Sequence, residues 1–102
     1  MTARDWAAFR AKVDRERFCR VGGRFHTDPE AAHIIQRSRI PGPEAMDELN
    51  CVPLCRECHL AYDRGDLDLL PYLSLSEQGY AAALVGLVGA FYRVTGDMQA
   101  IS

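Results

Sequence analysis

The sequence has no long apolar run, no internal repeat and no low-complexity tract. Its longest apolar stretch lies near residues 81–92 and is interrupted by Gly86 and Gly89, so it is too short for a membrane span. The first six residues contain no apolar run either, which argues against a targeting segment. These absences predict a protein that has no membrane partner, and we expect it in the cytoplasm.

Neither sign of charge is in large excess, since the formal net charge is −2. The total disfavours a nucleic-acid binder, but the charges are unevenly distributed. Residues 1–40 hold nine Arg or Lys against five Asp or Glu, whereas residues 41–102 hold three against nine. A polarised chain can present one basic face while its total stays acidic. The pattern fits a nucleic-acid-binding face or an ordinary solvated surface equally well.

The length of 102 residues predicts a single domain over residues 1–102. An apolar fraction of 48% with 25% charged residues is typical of a soluble globular protein. A chain this short buries only about two thirds of its unfolded surface, and small folds often need an added constraint such as a metal ion.

Hydrophobic periodicity and turn residues predict an α+β fold. Thr2 and Asp5 resemble a capping box at the start of the first helix, Gly65 suits the end of the short helix, and Gly96 is a plausible stop for the last one. The expected elements are a helix (3–17), an irregular segment (18–31), a strand (32–36), a loop (37–48), a strand (51–54), a short helix (56–64) and a long apolar helix (77–95). This order places two strands and a short helix together as a ββα unit.

The first helix is expected to be amphipathic. Trp6, Phe9 and Val13 recur at helical spacing and predict an apolar face that packs on the core. The basic side chains of this helix are expected largely on its outer face: Arg10, Lys12, Arg15 and Arg17.

A Cys-x-x-Cys pair at Cys55 and Cys58 is the strongest chemical signal in the chain. Such a turn brings two thiolates onto one tetrahedral ion and is typical of half a structural zinc site. Cys19 can supply a third thiolate. The second cysteine of its own pair is missing, because Gly22 stands at that position.

Two questions about this site stay open from the sequence. The fourth ligand is either His26, which follows Cys19 in the same irregular segment, or none. Cys51 is a poor candidate, because along an extended strand it would lie about 13 Å from Cys55. The alternative interpretation is that the cysteines are small buried hydrophobic residues with no metal.

Two histidines and an asparagine complete the pattern. His33 lies in the first strand, Asn50 just before the second, and His59 at the start of the short helix, so that the two histidines face one another across the ββα unit. The run His33-Ile-Ile-Gln-Arg-Ser, then Asn50, then Val-Pro-Leu-Cys-Arg-Glu-Cys-His59 resembles the HNH endonuclease family. The resemblance covers about residues 19–65 and is strongest to the small, cysteine-bearing members of phage and bacterial genomes.

The resemblance implies a ββα-metal fold and a metal-dependent DNA endonuclease. It makes His33 the general base that takes a proton from the attacking water, and Asn50 the residue that orients the His33 imidazole. It makes His59 the ligand of one divalent cation, such as Mg²⁺, Mn²⁺ or Ni²⁺. Arg37 and Arg39 follow the base closely and would contact neighbouring DNA phosphates.

The chain departs from the family pattern at Ala32, because many members have an Asp or His there as a second cation ligand. Glu30, Asp47 or water could take that place; otherwise the cation binds weakly or the enzyme is inactive. The acidic run of Asp63, Asp66 and Asp68 is interpreted as a solvated face, since its spacing does not repeat as a ligand pattern would.

Two further functions compete with the nuclease. One is a catalytically impaired module of the same fold that binds DNA or a protein. The other is a structural zinc adaptor that docks a partner through helix 77–95. Beyond DNA, the resemblance suggests a phage terminase as partner, and the apolar last helix suggests a second copy of the chain.

Overall fold

The computed structural model describes residues 3–40 and 42–95. Within this part of the chain, four α-helices accompany one two-stranded antiparallel sheet, which confirms the α+β class. The elements are α1 (Ala3–Glu16), β1 (Glu30–His33), β2 (Cys51–Leu54), α2 (Arg56–Asp63), α3 (Leu75–Val85) and α4 (Leu87–Thr95). Thr2 and Gly96, on which the expected first cap and last stop depend, lie outside the described residues.

Strand β1 pairs with β2 so that Glu30 is opposite Leu54 and His33 is opposite Cys51. The strand was expected at 32–36 but ends at His33, because the backbone of Ile35 bonds to a side chain instead of a strand partner. Alternation along β1 puts Ala32 in the main core, whereas the His33 ring lies on the α1 side.

The single long helix expected over residues 77–95 is wrong. Gly86 has φ 84°, a left-handed conformation that few residues other than glycine adopt, and it separates α3 from α4. The expected capping box is confirmed: Ser74 Oγ accepts from the Glu77 N–H at 3.1 Å, and the Ser74 N–H donates to Glu77 Oε1 at 2.8 Å. The cap starts the helix at Leu75, two residues earlier than expected.

A buried ion network joins the first helix to the rest of the fold. Lys12 was expected outside, but it is buried and donates to the carbonyls of Glu48 and Cys51 and to Glu77 Oε2, each at 2.6 Å. Arg20 donates to the other oxygen of Glu77 at 2.7 Å. Because Glu77 lies in the first turn of α3 and Cys51 begins β2, the bonds of Lys12 join α1 to both of these elements.

Among the described residues, no helix combines the length and the apolar character that crossing a bilayer requires.

Candidate metal centre and histidine site

Three cysteines and one histidine converge beside the sheet. The ligand atoms of Cys19, His26, Cys55 and Cys58 all lie within 4.8 Å of one another. His26 Nδ1 is 3.5 Å from Cys55 Sγ and 3.6 Å from Cys58 Sγ. Zn–S distances near 2.3 Å in a tetrahedral site place neighbouring ligands about 3.5–3.8 Å apart. The cluster could therefore bind a metal ion such as zinc, and it answers the question of the fourth ligand in favour of His26.

The turn that carries Cys19 and His26 is built around glycine. The N–H of Gly23 donates to the Cys19 carbonyl at 2.8 Å, and Gly23 has φ 58°. A Cβ added at Gly22 would meet the His26 ring at 2.1 Å. The imidazole thus occupies the space that a side chain at position 22 would need, which explains why glycine stands where a second cysteine was expected.

The thiols of the cluster differ in their tendency to ionise. Burial opposes ionisation of Cys19, but hydrogen bonds from the backbone N–H groups of Cys55 and Gly22 outweigh it and lower the Cys19 pKa from 9.0 to about 6. Burial and the neighbouring thiols raise the pKa of Cys58 to about 12. Several thiolates close together repel one another, and a bound cation removes this repulsion because it stabilises their negative charges.

Cys51 belongs to a different part of the core. It is buried with Phe9 and Met46, and burial raises its pKa to about 12. Cys51 is not one of the four residues whose ligand atoms cluster.

His33 lies half-buried at the end of β1, between aromatic rings of α1. Its ring centroid is 4.8 Å from that of Phe9 and 5.9 Å from that of Trp6, and its Nε2 is 3.4 Å from Met46 Sδ. Burial lowers the His33 pKa from its usual value, and the positive charge of Arg37 lowers it further. Both effects favour the neutral imidazole.

Asn50 is fully buried, and it does not make the hydrogen bond that was expected to orient His33. Its Oδ1 accepts from the Ile35 N–H at 2.8 Å, and its Nδ2 donates to the carbonyls of Ile35 and Ala45 at 3.0 and 2.9 Å. These bonds use up both amide hydrogens. Asn50 instead holds the segment after β1 in place next to the loop before β2. It therefore affects the position of His33 only indirectly.

His59, in the first turns of α2, lies between two carboxylates. Its Nδ1 is 2.6 Å from Glu30 Oε1, and its Nε2 is 3.5 Å from Asp63 Oδ2. Glu30 reaches His59 because it shares a face of β1 with Ala32, two residues on, and that face is turned towards α2. Asp63 reaches it because residues four apart on a helix lie on one face.

Arg93 approaches the same place from α4. Its guanidinium carbon lies 3.9 Å from the centre of the Tyr62 ring, Nη1 donates to the Tyr62 carbonyl at 3.2 Å, and Nη2 is 3.5 Å from Asp63 Oδ1. The side chain is 9% exposed. Among the described residues, its Nε and Nη2 have no hydrogen-bond partner, so the buried charge is compensated by the Tyr62 ring and carbonyl together with the nearby Asp63 carboxylate.

The remaining predicted residues fall into two groups. Arg37 and Arg39 are exposed on a 3₁₀ turn (Arg37–Arg39) that follows the strand carrying His33. Ala32 is fully buried and Asp47 caps a turn by accepting from the Leu49 N–H at 2.9 Å. Glu30 and Asp47 were candidates for the cation ligand that Ala32 cannot supply. Glu30 lies beside His59, whereas Asp47 does not contact His59.

Sequence reasoning missed Asp63 and Arg93 as neighbours of this site. The spacing of four between His59 and Asp63 on a helix was a visible signal, although the acidic run was interpreted as solvated. Arg93 had no local signal, because its position depends on the turn at Gly86.

No protein-family model matches this chain, and neither a curated protein nor a solved structure matches it.

Proposed function

We propose that this protein is an HNH-type, metal-dependent DNA endonuclease whose general base is His33. The observation that carries the proposal is the placement of His33 at the end of β1 and of His59 in α2, the helix that follows directly on the antiparallel hairpin. His59 Nδ1 lies 2.6 Å from Oε1 of Glu30, which belongs to the same strand as His33. The metal cluster of Cys19, His26, Cys55 and Cys58 ties this helix to the turn before the hairpin.

The environment of His33 supports the role of a base. A general base must be unprotonated at the working pH, and the lowered pKa favours the neutral imidazole. Contacts with Phe9, Trp6 and Met46 restrict the ring to one orientation. A neutral, fixed imidazole can remove a proton from a water molecule as that water attacks the scissile phosphorus.

His59 would hold the divalent cation. Nδ1 faces the Glu30 carboxylate, so the tautomer that carries its proton on Nδ1 leaves an Nε2 lone pair free for a metal. When bound, a divalent cation stabilises the negative charge that develops on the phosphate and on the leaving 3′ oxygen.

Duplex DNA is the proposed substrate, recognised mainly through its backbone. Arg37 and Arg39 are exposed beside the strand that carries His33, where they can contact phosphates on either side of the scissile bond. The small ββα unit offers few side chains for reading bases, so we expect cleavage with little sequence preference.

The test is nicking of supercoiled plasmid by zinc-loaded protein with Mg²⁺, Mn²⁺, Ni²⁺ or EDTA. We expect the parent to nick only with an added cation, and His33→Ala to lose about 10²–10⁴-fold of that rate, the usual contribution of a general base. Arg24→Ala, which removes an exposed charge from the turn of the metal cluster, is the control for the effect of a surface substitution.

Two outcomes would refute the proposal. Nicking by His33→Ala at the parent rate would remove His33 from the chemistry. Suppose that the folded parent fails to nick plasmid DNA with any of the cations but still retards that DNA in a gel. This result would support the catalytically impaired binding module, which lacks a cation ligand at Ala32.

A further inference from the structure

We propose that α3 and α4 form a face through which this protein pairs with a second copy of itself. The pairing face is defined by large apolar side chains of these two helices that are exposed to solvent: Leu75, Leu87, Val88, Phe91 and Tyr92. The proposal does not depend on nuclease activity, because α3 and α4 carry neither the two histidines nor the metal cluster.

The exposed side chains of α4 form one broad stripe. Leu87 and Phe91 are four residues apart, as are Val88 and Tyr92, so the two pairs lie side by side on the helix. The ring centroids of Phe91 and Tyr92 are 6.2 Å apart. A different side of α4 packs on the core, where Val94 is buried. The helix therefore has two apolar sides, and the fold of one chain buries only one of them.

A groove beside this stripe supplies the second part of an interface. It lies between α3 and α4, has a volume of about 80 Å³, and has apolar walls apart from Gln78. Leu87 and Phe91 form part of these walls, whereas Val88 projects next to them and is 65% exposed. A two-fold axis brings the same patch of both copies together, so a projecting side chain of each copy can enter the groove of the other. A face that carries both a groove and a projecting side chain suits such self-pairing.

The charge of the pairing face also favours a second copy. The segment from Gln78 to Tyr92 contains no charged residue, in a chain of which 25% is charged. In a two-fold interface a charged patch would meet its own copy and be repelled, and this segment meets no such repulsion. Nucleic acid is a poor occupant, because its phosphates need Lys or Arg, and binding to the surface of an anionic bilayer needs them as well.

The exposed apolar area is close to what pairing requires. The exposed fractions of the five side chains run from 43% to 84%. They leave roughly 600 Å² of apolar surface in water, if a fully exposed side chain of this size has about 200 Å². A standard interface buries about 800 Å² of each partner. The face thus supplies most of one side of such an interface, and we expect a reversible dimer with a micromolar dissociation constant.

The experiment is sedimentation equilibrium of the zinc-loaded protein at about 1–500 µM, a range that brackets a micromolar dissociation constant. We expect the mass to rise from 11.4 kDa towards twice that value. Val88→Glu should weaken the dimer at least tenfold, because it places a carboxylate where two apolar faces meet. The variant should stay folded, since position 88 is exposed in one chain and lies in the first turn of α4, where a carboxylate is favourable.

Leu60→Glu is the matched control, because it makes the same change at an exposed position of α2, outside the pairing face. It should dimerise as the parent does. Leu75→Gln tests the same face from α3 without adding a charge, and it should also weaken the dimer. Circular dichroism shows that each variant compared is folded.

Two results would overturn the proposal. One is a parent that keeps a mass of 11.4 kDa over the whole range. If that monomer binds phosphatidylcholine vesicles, the face is a lipid-binding surface instead. The other is an equal dissociation constant for the parent, Val88→Glu and Leu75→Gln, which would show that the two copies meet elsewhere.

Discussion

At the scale of single residues, Gly22 and His26 complete the metal cluster together. The His26 ring can reach Cys55 and Cys58 only because position 22 has no side chain. The Cys-x-x-Cys spacing predicted two of the ligands from the sequence, and the third cysteine followed from composition. His26 stayed open because the eight-residue segment from Cys19 to His26 does not reveal which side chain reaches the metal.

We predict that Gly22→Ala weakens zinc binding by about tenfold or more, because the added Cβ would displace the His26 ring. Competition with a chromophoric chelator measures the change. Gly79→Ala is the control: its Cβ would meet nothing within 4 Å in α3, and alanine should stabilise that helix by about 0.5–1 kcal/mol. Unchanged zinc affinity in Gly22→Ala would mean that His26 is not a ligand.

The histidine site shows where residue patterns stop being informative. His33 and His59 were identified from their order and spacing, but the partners that define their chemistry were not. Phe9 and Met46 approach His33 through tertiary packing, and the side chain of Asn50 is used for backbone support. The sequence motif indicates which residues belong to the site. The hydrogen bonds that these residues make depend on how the neighbouring elements pack, which the motif does not indicate.

At the scale of elements, Glu77 joins three parts of the fold. Its carboxylate accepts from Lys12 and Arg20 and caps α3, and these contacts lower its pKa to about 2 despite burial, which acts in the opposite direction. The capping box was predictable from local sequence. The burial of Lys12 was not, because a single lysine on an amphipathic helix is normally solvated.

We predict that Glu77→Gln destabilises the protein by about 3 kcal/mol at pH 7, because it leaves the buried Lys12 ammonium without its counter-charge. Urea denaturation measures the loss. Glu48→Gln is the control, since the side chain of Glu48 pairs with Arg15 on the exposed surface and should matter little. If Glu77→Gln lowers the free energy of unfolding no more than Glu48→Gln does, the buried network of Lys12, Arg20 and Glu77 adds no stability.

The same carboxylate sets an acid limit for the fold. The Glu77 pKa is about 2 in the folded protein against 4.5 for a free side chain, so its contribution is complete above pH 4.5 and is lost as pH falls towards 2. The parent should therefore lose stability over this range, and Glu77→Gln should show a smaller slope of unfolding free energy against pH. Equal slopes would contradict the assignment.

The end of the short helix was predicted well, whereas the extent of the last helix was not. Gly65, with φ 80°, follows the end of α2 as expected. Gly86 was visible as an interruption of the apolar run, yet the spacing of apolar residues continues across it, so periodicity alone predicted one helix. The turn at Gly86 lets α4 fold back and carry Arg93 to Asp63.

At the scale of the whole molecule, a metal ion in the Cys19, His26, Cys55 and Cys58 cluster would compensate for a small sheet. A two-stranded hairpin is marginally stable by itself, and a chain of 102 residues has little core to add. The cluster joins the turn after α1 to the start of α2, at the end of the sheet where β1 begins and β2 ends. Binding of zinc to such a site releases about 10–16 kcal/mol, which is comparable to the total stability of a domain.

We therefore predict that removing zinc with a strong chelator, or the substitution Cys55→Ala, largely unfolds the protein at 25 °C. Circular dichroism during thermal melting measures this, with zinc content determined in parallel. Cys51→Ala is the control, because it removes a buried thiol outside the cluster and should retain one zinc per chain. A chelated protein that melts like the untreated one would exclude a structural metal.

The most direct test of the account as a whole is the pH dependence of the single-turnover nicking rate with Mn²⁺. The base acts when neutral, and burial lowers the His33 pKa. The parent rate should therefore rise with pH with a midpoint below that of a free imidazole, and His33→Ala should lose this step together with most of the rate. A His33→Ala protein that keeps the parent rate and profile would contradict the claim that this chain is a nuclease with His33 as its base.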